Sequence, residues 1–269
     1  MHRIRSAMRD VDVAIAVASE GATVVRHRFG TVLQRLDKGA GDFATSADIE
    51  AENAMLAVLR RERPDDSILG EESGRSGASN GLRTWLIDPL CGTLNYAAKM
   101  RVVAVNVALR ADAGFVAAAV ADPFNNEIYF TDGVSATVRS DGQDAPLAPS
   151  GSSKLVDLNF DPPFSNAPAF KAATLAADSE FASKFRPRVV STSLALVWVA
   201  TGQRAAYVTD GDVRDSVHFA AGLAVCEASG CIVTDLRGDP WGSGTTGLLA
   251  AADSETHAAL LGLVRKYLR

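Results

Sequence analysis

Three stretches gather residues able to do chemistry. Gly70-Glu71-Glu72-Ser73 closes an apolar run that contains Ile68 and Leu69. Trp85-Leu86-Ile87-Asp88-Pro89-Leu90-Cys91-Gly92-Thr93-Leu94-Asn95-Tyr96 sets a carboxylate, a thiol and a hydroxyl close together. Val217-His218-Phe219-Ala220-Ala221-Gly222 brings one of only four histidines to the head of an apolar segment. A sparser fourth stretch runs from Lys38 to Asp42-Phe43-Ala44-Thr45-Ser46-Ala47-Asp48. Glu71 and Asp88 each end a short strand-like run, residues 67–71 and 84–88. Two carboxylates held side by side repel unless a proton or cation lies between them. Hard oxygen donors favour Mg²⁺, Mn²⁺ or Ca²⁺. Pro89 and Gly92 set a tight turn that aims backbone groups at a ligand. Thr93 adds a hydroxyl and can start a helix, whose free N–H groups favour an anion such as phosphate. A helix start there would also lower the pKa of the Cys91 thiol.

The elements that must position these residues read as follows. Apolar residues at near-helical spacing predict a helix over 6–28. A loop with Asp37, Lys38, Gly39, Gly41 and Asp42 follows. A second helix starts at Ser46 and stops at Pro64, with Glu50 and Glu52 early and Arg60, Arg61 and Arg63 late. Residues 73–81 are rich in Gly and Ser and read as a flexible loop. Strand-like runs at 102–110, 115–122, 127–131 and 136–139, separated by turn signals, predict an antiparallel meander. Residues 145–153 mark a boundary. Beyond it, strands near 154–160, 188–190, 205–209 and 231–234 alternate with helices near 167–185, 193–201, 215–229 and 253–268. The class is α/β, with helices layered on mixed sheets. One subdomain, 1–145, would carry Glu71 and Asp88. The other, 146–269, would carry His218, with the site between them.

Composition narrows the function. The 269 residues are 47% hydrophobic and 22% charged, which excludes wholesale disorder. A net charge of -5 argues against charge-driven binding to nucleic acid or anionic membranes. Cys91, Cys226 and Cys231 have no framework spacing, so a reducing cytoplasm is expected. Cys226 and Cys231 read as core residues. His2, His27 and His257 read as surface positions. No apolar run approaches the length of a membrane span.

These motifs resemble the inositol monophosphatase family of Mg²⁺-dependent, lithium-sensitive sugar phosphatases, over roughly residues 10–268. The central stretch in that family reads Asp-Pro-(Ile/Leu)-Asp-Gly-Thr-x-Asn-(Phe/Tyr), and this chain departs from it at one residue, Cys91. The resemblance implies an αβαβα sandwich with mixed and antiparallel sheets. It implies a first metal site from Glu71, Asp88 and the Leu90 carbonyl. Thr93 with Glu71 would orient and deprotonate the attacking water, and Asp48 would hold a looser metal through water. Lys38 falls in the family's mobile loop. Backbone N–H groups of Gly92 and Thr93 would cradle phosphate. A homodimer is also implied.

Two departures stand at the family's second metal site. Cys91 replaces one aspartate, and His218 replaces the aspartate of Trp-Asp-x-Ala-Ala-Gly. A thiol and a neutral imidazole are poor Mg²⁺ ligands. On the sugar side, Val190-Ser191-Thr192-Ser193 stands for the family's Gly-Ser-Ala-Ala, which puts Ser191 at the substrate. Asp210 or Asp212 would replace the acidic residue that grips a polyol hydroxyl. Three readings follow. The scaffold is repurposed for acid/base chemistry (elimination, isomerisation or cyclisation) by Glu71, Asp88, His218 and Cys91 on a small metabolite. Alternatively, it hydrolyses a sugar or polyol phosphate with one hard metal or a softer one. The third reading is a binding protein without catalysis. The cofactor expectations match: Mg²⁺ at a single retained site, Zn²⁺ at Asp88, Cys91 and His218, or none.

Overall fold

A computed structural model describes residues 8–39, 42–78, 82–111, 114–160, 170–211, 213, 215–241 and 247–269. Helix α1 (Asp10–Arg28) is followed by a hairpin of β1 (Arg35–Gly39) and β2 (Asp42–Thr45), then α2 (Ser46–Glu62). Next come β3 (Ser67–Gly70), β4 (Gly74–Gly77), β5 (Arg83–Cys91) and the short α3 (Thr93–Ala97). The meander is β6 (Ala104–Ala111), β7 (Gly114–Asp122), β8 (Glu127–Thr131), β9 (Ala136–Ser140) and β10 (Gln143–Pro146). The remainder is β11 (Leu155–Asn159), α4 (Ala173–Ala176), α5 (Ser179–Lys184), β12 (Arg186–Val189), α6 (Leu194–Ala200), β13 (Ala206–Thr209), α7 (Val217–Ser229), β14 (Ile232–Thr234), β15 (Leu248–Ala251) and α8 (Ser254–Arg265).

Among the described residues, eight strands form one sheet in the order β10-β9-β8-β7-β6-β5-β3-β4, and five form another in the order β12-β11-β13-β15-β14. Side chains alternate across a strand. Trp85 and Ile87 of β5, with Val105 and Val107 of β6, therefore face α1 and α2. Leu86 of β5, with Ala104 and Ala108 of β6, faces α6 and α7. The far face of the second sheet, with Val156, Val208 and Leu249, packs on α5 and α8. The layers thus run helix, sheet, helix, sheet, helix. Small residues let the middle layer approach closely: a Cβ at Gly222 would lie 2.9 Å from Leu196. No described helix is long and apolar enough to cross a membrane.

Four local expectations change. The loop expected at Asp37–Asp42 is largely the β1–β2 hairpin, and the flexible stretch 73–81 contains β4, which pairs antiparallel with β3. The helix expected over 167–185 is two short ones, because Asp178 accepts from the Phe181 N–H at 2.7 Å and caps α5 afresh. Residues 161–169 lie outside the described set. Strand β15 sits between β13 and β14, and its four residues Leu-Leu-Ala-Ala are too few to show a period.

Candidate functional site

Parallel pairing of β3 with β5 aligns Gly70 with Ile87, so Glu71 and Asp88 emerge at one level. The Glu71 N–H donates to the Ile87 carbonyl at 3.1 Å. The register of β5 against β6 then shifts between Asp88 and Cys91, a bulge that re-aims the chain into Gly92. Gly92 has φ 101°, where an added Cβ would lie 3.1 Å from the Val102 carbonyl. It caps α3, so Thr93 does begin a helix.

Asp88 is fully buried. Its Oδ1 accepts from the Leu90 N–H at 3.0 Å, and its Oδ2 from Asn106 Nδ2 at 3.2 Å. His218, on the first turn of α7, places Nδ1 2.8 Å from the same Oδ2. Burial opposes the imidazolium, but the Asp88 charge and hydrogen bond outweigh it and raise the His218 pKa well above 6.5. Burial likewise pushes Asp88 up, and His218 more than offsets it, so this carboxyl lies below its ordinary value.

Glu71 behaves oppositely. Burial, then the Asp88 charge, pushes it up to about 9. Its Oε1 receives Lys38 Nζ at 2.9 Å, and the same ammonium reaches Glu72 at 2.7 Å. Burial works against the Lys38 charge, yet the two carboxylates raise its pKa. Glu71 Oε2 is buried with no hydrogen-bond partner, 4.0 Å from His218 Nδ1. Such an orphaned oxygen calls for a proton or a cation.

The Thr93 hydroxyl is bonded to groups other than Glu71. It lies 3.0 Å from Asp48 Oδ1 and 3.1 Å from the Leu90 carbonyl. Asp48 is fully buried, and its Oδ2 accepts from the Thr45 N–H at 2.8 Å and hydroxyl at 2.5 Å in the capping box of α2. Both Asp48 oxygens are thus engaged by protein donors. Burial raises its pKa against these hydrogen bonds.

The Cys91 thiol is raised, by burial first and then by the Asp88 charge. The lowering expected from a helix start does not prevail, because burial and the Asp88 charge act in the opposite direction. Cys91 Sγ accepts from the Ser193 N–H at 3.2 Å. Ser191 borders the same turn, its carbonyl accepting from Asn95 Nδ2 at 2.8 Å. Asp210 is buried and accepts from the Ala172 N–H at 3.1 Å, and burial raises its pKa. Asp212 lies outside the described residues. Cys226 and Cys231 are core residues. His27 is exposed, and His257 is partly buried with Nε2 2.8 Å from the Thr234 hydroxyl.

Sequence reasoning missed two supporting residues. Glu52 is buried on α2 and accepts from the Glu72 and Ser73 N–H groups at 2.8 and 2.7 Å, which fixes the turn carrying Glu71. Its spacing of one helical turn from Asp48 was the available signal. Asn106 bridges Asp88 to the Ser193 hydroxyl, which donates to Asn106 Oδ1 at 2.9 Å. A polar residue inside the apolar run of β6 announced it.

The donor sets divide in two. Glu71 Oε2, Asp88 and the Leu90 carbonyl are hard oxygens and suit Mg²⁺. Asp88, Cys91 and His218 bring oxygen, sulfur and nitrogen within 4.8 Å of one another, a set that does not suit Mg²⁺.

Residues 7–269 match the model of the inositol monophosphatase family. Inositol-1-monophosphatase ImpA of Mycolicibacterium smegmatis is 31% identical over 254 residues, covering 90% of this chain and 86% of its own. An inositol-1-monophosphatase of Mesorhizobium japonicum is 29% identical, covering 97% of both chains. The fold is that of the extragenic suppressor protein SuhB from Bartonella henselae, with TM-score 0.84 and 22% identity over 95% of this chain and 98% of that one. A chain carrying this fold, these strand-end carboxylates and this full-length match belongs to the inositol monophosphatase family.

Proposed function

We propose that this chain is a metal-dependent phosphomonoesterase acting on a small phosphorylated metabolite, with its second cation position rebuilt from Asp88, Cys91 and His218. The carrying observations are the Thr93 hydroxyl, fixed between Asp48 Oδ1 and the Leu90 carbonyl, and the buried, unpartnered oxygen of Glu71. Asp48 positions Thr93 and can accept its hydroxyl proton as the Thr93 oxygen takes one from the attacking water. Glu71, Asp88 and the Leu90 carbonyl would hold a hard divalent cation, which supplies Lewis-acid charge and a more acidic water. Gly92 and Thr93 offer backbone N–H groups to the phosphate. Ser191 borders that turn on the substrate side, whereas Asp210 spends an oxygen on Ala172. Residues 1–145 contribute the carboxylates and 146–269 contribute His218, which supports a site between two subdomains. Three unbridged cysteines fit a reducing, cytoplasmic setting.

A second reading is favoured by the pairing of His218 with Asp88. Glu71 and Asp88 are pushed in opposite directions, the pattern of an acid and a base. Those groups would then catalyse proton transfer on a metabolite that keeps its phosphate or has none. The test is a panel of sugar and polyol phosphates incubated with Mg²⁺, Mn²⁺ or Zn²⁺. Release of inorganic phosphate, lost in Thr93→Val, supports hydrolysis. No release from any member, with mass spectrometry showing an isomerised or dehydrated product, supports the second reading.

A further inference from the structure

We propose that Asp88, Cys91 and His218 form a site for Zn²⁺, or another thiophilic divalent ion, in place of Mg²⁺. The inference deepens the hydrolase reading by naming the ion at its second position. It is tested by binding, so it stands or falls apart from phosphate release.

The donor atoms carry the argument. A carboxylate oxygen, a thiol sulfur and a ring nitrogen all lie within 4.8 Å of one another. Tetrahedral Zn²⁺, with bonds of roughly 2.0–2.3 Å, spaces its ligands about 3.3–3.8 Å apart. The atoms already lie close enough that small shifts suffice: the oxygen–nitrogen pair, now hydrogen-bonded at 2.8 Å, opens by about half an ångström to take the ion between them. Oxygen, sulfur and nitrogen together are an ordinary Zn²⁺ set, whereas Mg²⁺ demands oxygens in an octahedron. Three protein ligands leave a fourth position for water or substrate, as in catalytic zinc sites.

The surroundings hold each ligand in place, as outer-shell partners of metal ligands do. Asp88 is fixed by the Leu90 N–H and by Asn106, and Asn106 by the Ser193 hydroxyl. Cys91 Sγ faces the Ser193 N–H at 3.2 Å, a donor that favours a thiolate. The His218 side chain keeps 45% of its surface open, which gives an ion a way in. Glu71 Oε2, buried and without a donor, lies 4.0 Å from the ring and adds a nearby anionic oxygen.

Titration of the metal-stripped full chain with Co²⁺ tests the proposal, because Co²⁺ reports both ligand type and geometry. The expected result is one equivalent bound, with intense tetrahedral visible bands and a thiolate-to-cobalt charge-transfer band. Zn²⁺ abolishes both, and a large excess of Mg²⁺ does not. Cys91→Ser loses the charge-transfer band while its circular dichroism is unchanged. Asn106→Ala keeps all three ligands and weakens Zn²⁺ binding roughly 10–100-fold, the scale of an outer-shell partner. A pale octahedral spectrum of the wild type, displacement by Mg²⁺, or a charge-transfer band that survives in Cys91→Ser overturns the proposal. The last result would place the ion on Cys226 and Cys231. If Cys91→Ser fails to fold, Asn106→Ala decides, because Asn106 supports Asp88 and its loss leaves an ion on Cys226 and Cys231 untouched. A tetrahedral site in a chain that releases no phosphate would leave the metal site standing and remove the hydrolase reading.

Discussion

His218 Nδ1 lies 2.8 Å from Asp88 Oδ2, so a ring nitrogen faces a fully buried carboxylate. Lys38 stands in the same relation to Glu71 and Glu72. The chain therefore supplies its own cations to a cluster of carboxylates. Any metal must displace or share these partners, and the consequences are measurable.

Stability of the metal-stripped protein should fall as pH rises. Glu71 has its folded pKa raised from 4.5 to about 9, and His218 is raised well above 6.5. The folded state keeps protons that the unfolded chain has released, so each contribution is present below the unfolded pKa and lost on going up through the folded one. The slope is up to about 1.4 kcal/mol per pH unit for each proton retained, with the share of His218 reduced by its exposure. Melting curves with chelator should therefore decline from about pH 5 to 9. Glu71→Gln should reduce the slope across the whole window and leave the His218 share above 6.5, whereas His218→Gln should reduce it only above 6.5. A flat wild-type profile would contradict the pairing.

Thr93→Val removes one hydroxyl at nearly constant shape. Phosphate release should drop in kcat by about 10²–10⁴-fold with KM little changed, the usual scale of a proton-transfer group. A change confined to KM would assign Thr93 to binding alone.

Glu52→Ala leaves the Glu72 and Ser73 N–H groups without their acceptor. A loss of about 2–4 kcal/mol in urea unfolding is expected. Metal affinity should weaken as well, because the turn that aims Glu71 is released. A loss below the error of extrapolation would show that Glu52 does not hold that turn.

Gly92→Ala meets both a positive φ and a carbonyl 3.1 Å from the new Cβ. A cost of about 1–3 kcal/mol is expected, with activity falling because Thr93 moves with the turn. Stability equal to that of the wild type would remove the steric argument.

Much of this arrangement is legible in the residues themselves. Ile68-Leu69 before Glu71 and Leu86-Ile87 before Asp88 mark strand ends, and β3 and β5 pair in parallel to bring the two carboxylates level. Cys91 and His218 stand out as departures from the motif, and they converge on Asp88. Other features depend on packing that no local pattern encodes. The Thr93 hydroxyl finds Asp48 because the capping box of α2 presents that carboxylate, across 45 residues of chain. Asn106 of β6 reaches Ser193, the residue just before α6, across 87 residues. Strand β15 is four apolar residues whose identity as a strand comes from β13 and β14 on either side.

The central claim is that the second cation position is rebuilt rather than lost. Its most direct test is the metal dependence of phosphate release by the wild type beside the Cys91→Asp/His218→Asp double variant. The account predicts wild-type turnover that needs Zn²⁺ or another thiophilic ion, and a double variant that turns to Mg²⁺. A wild type silent with every metal, beside a double variant active with Mg²⁺, would contradict it.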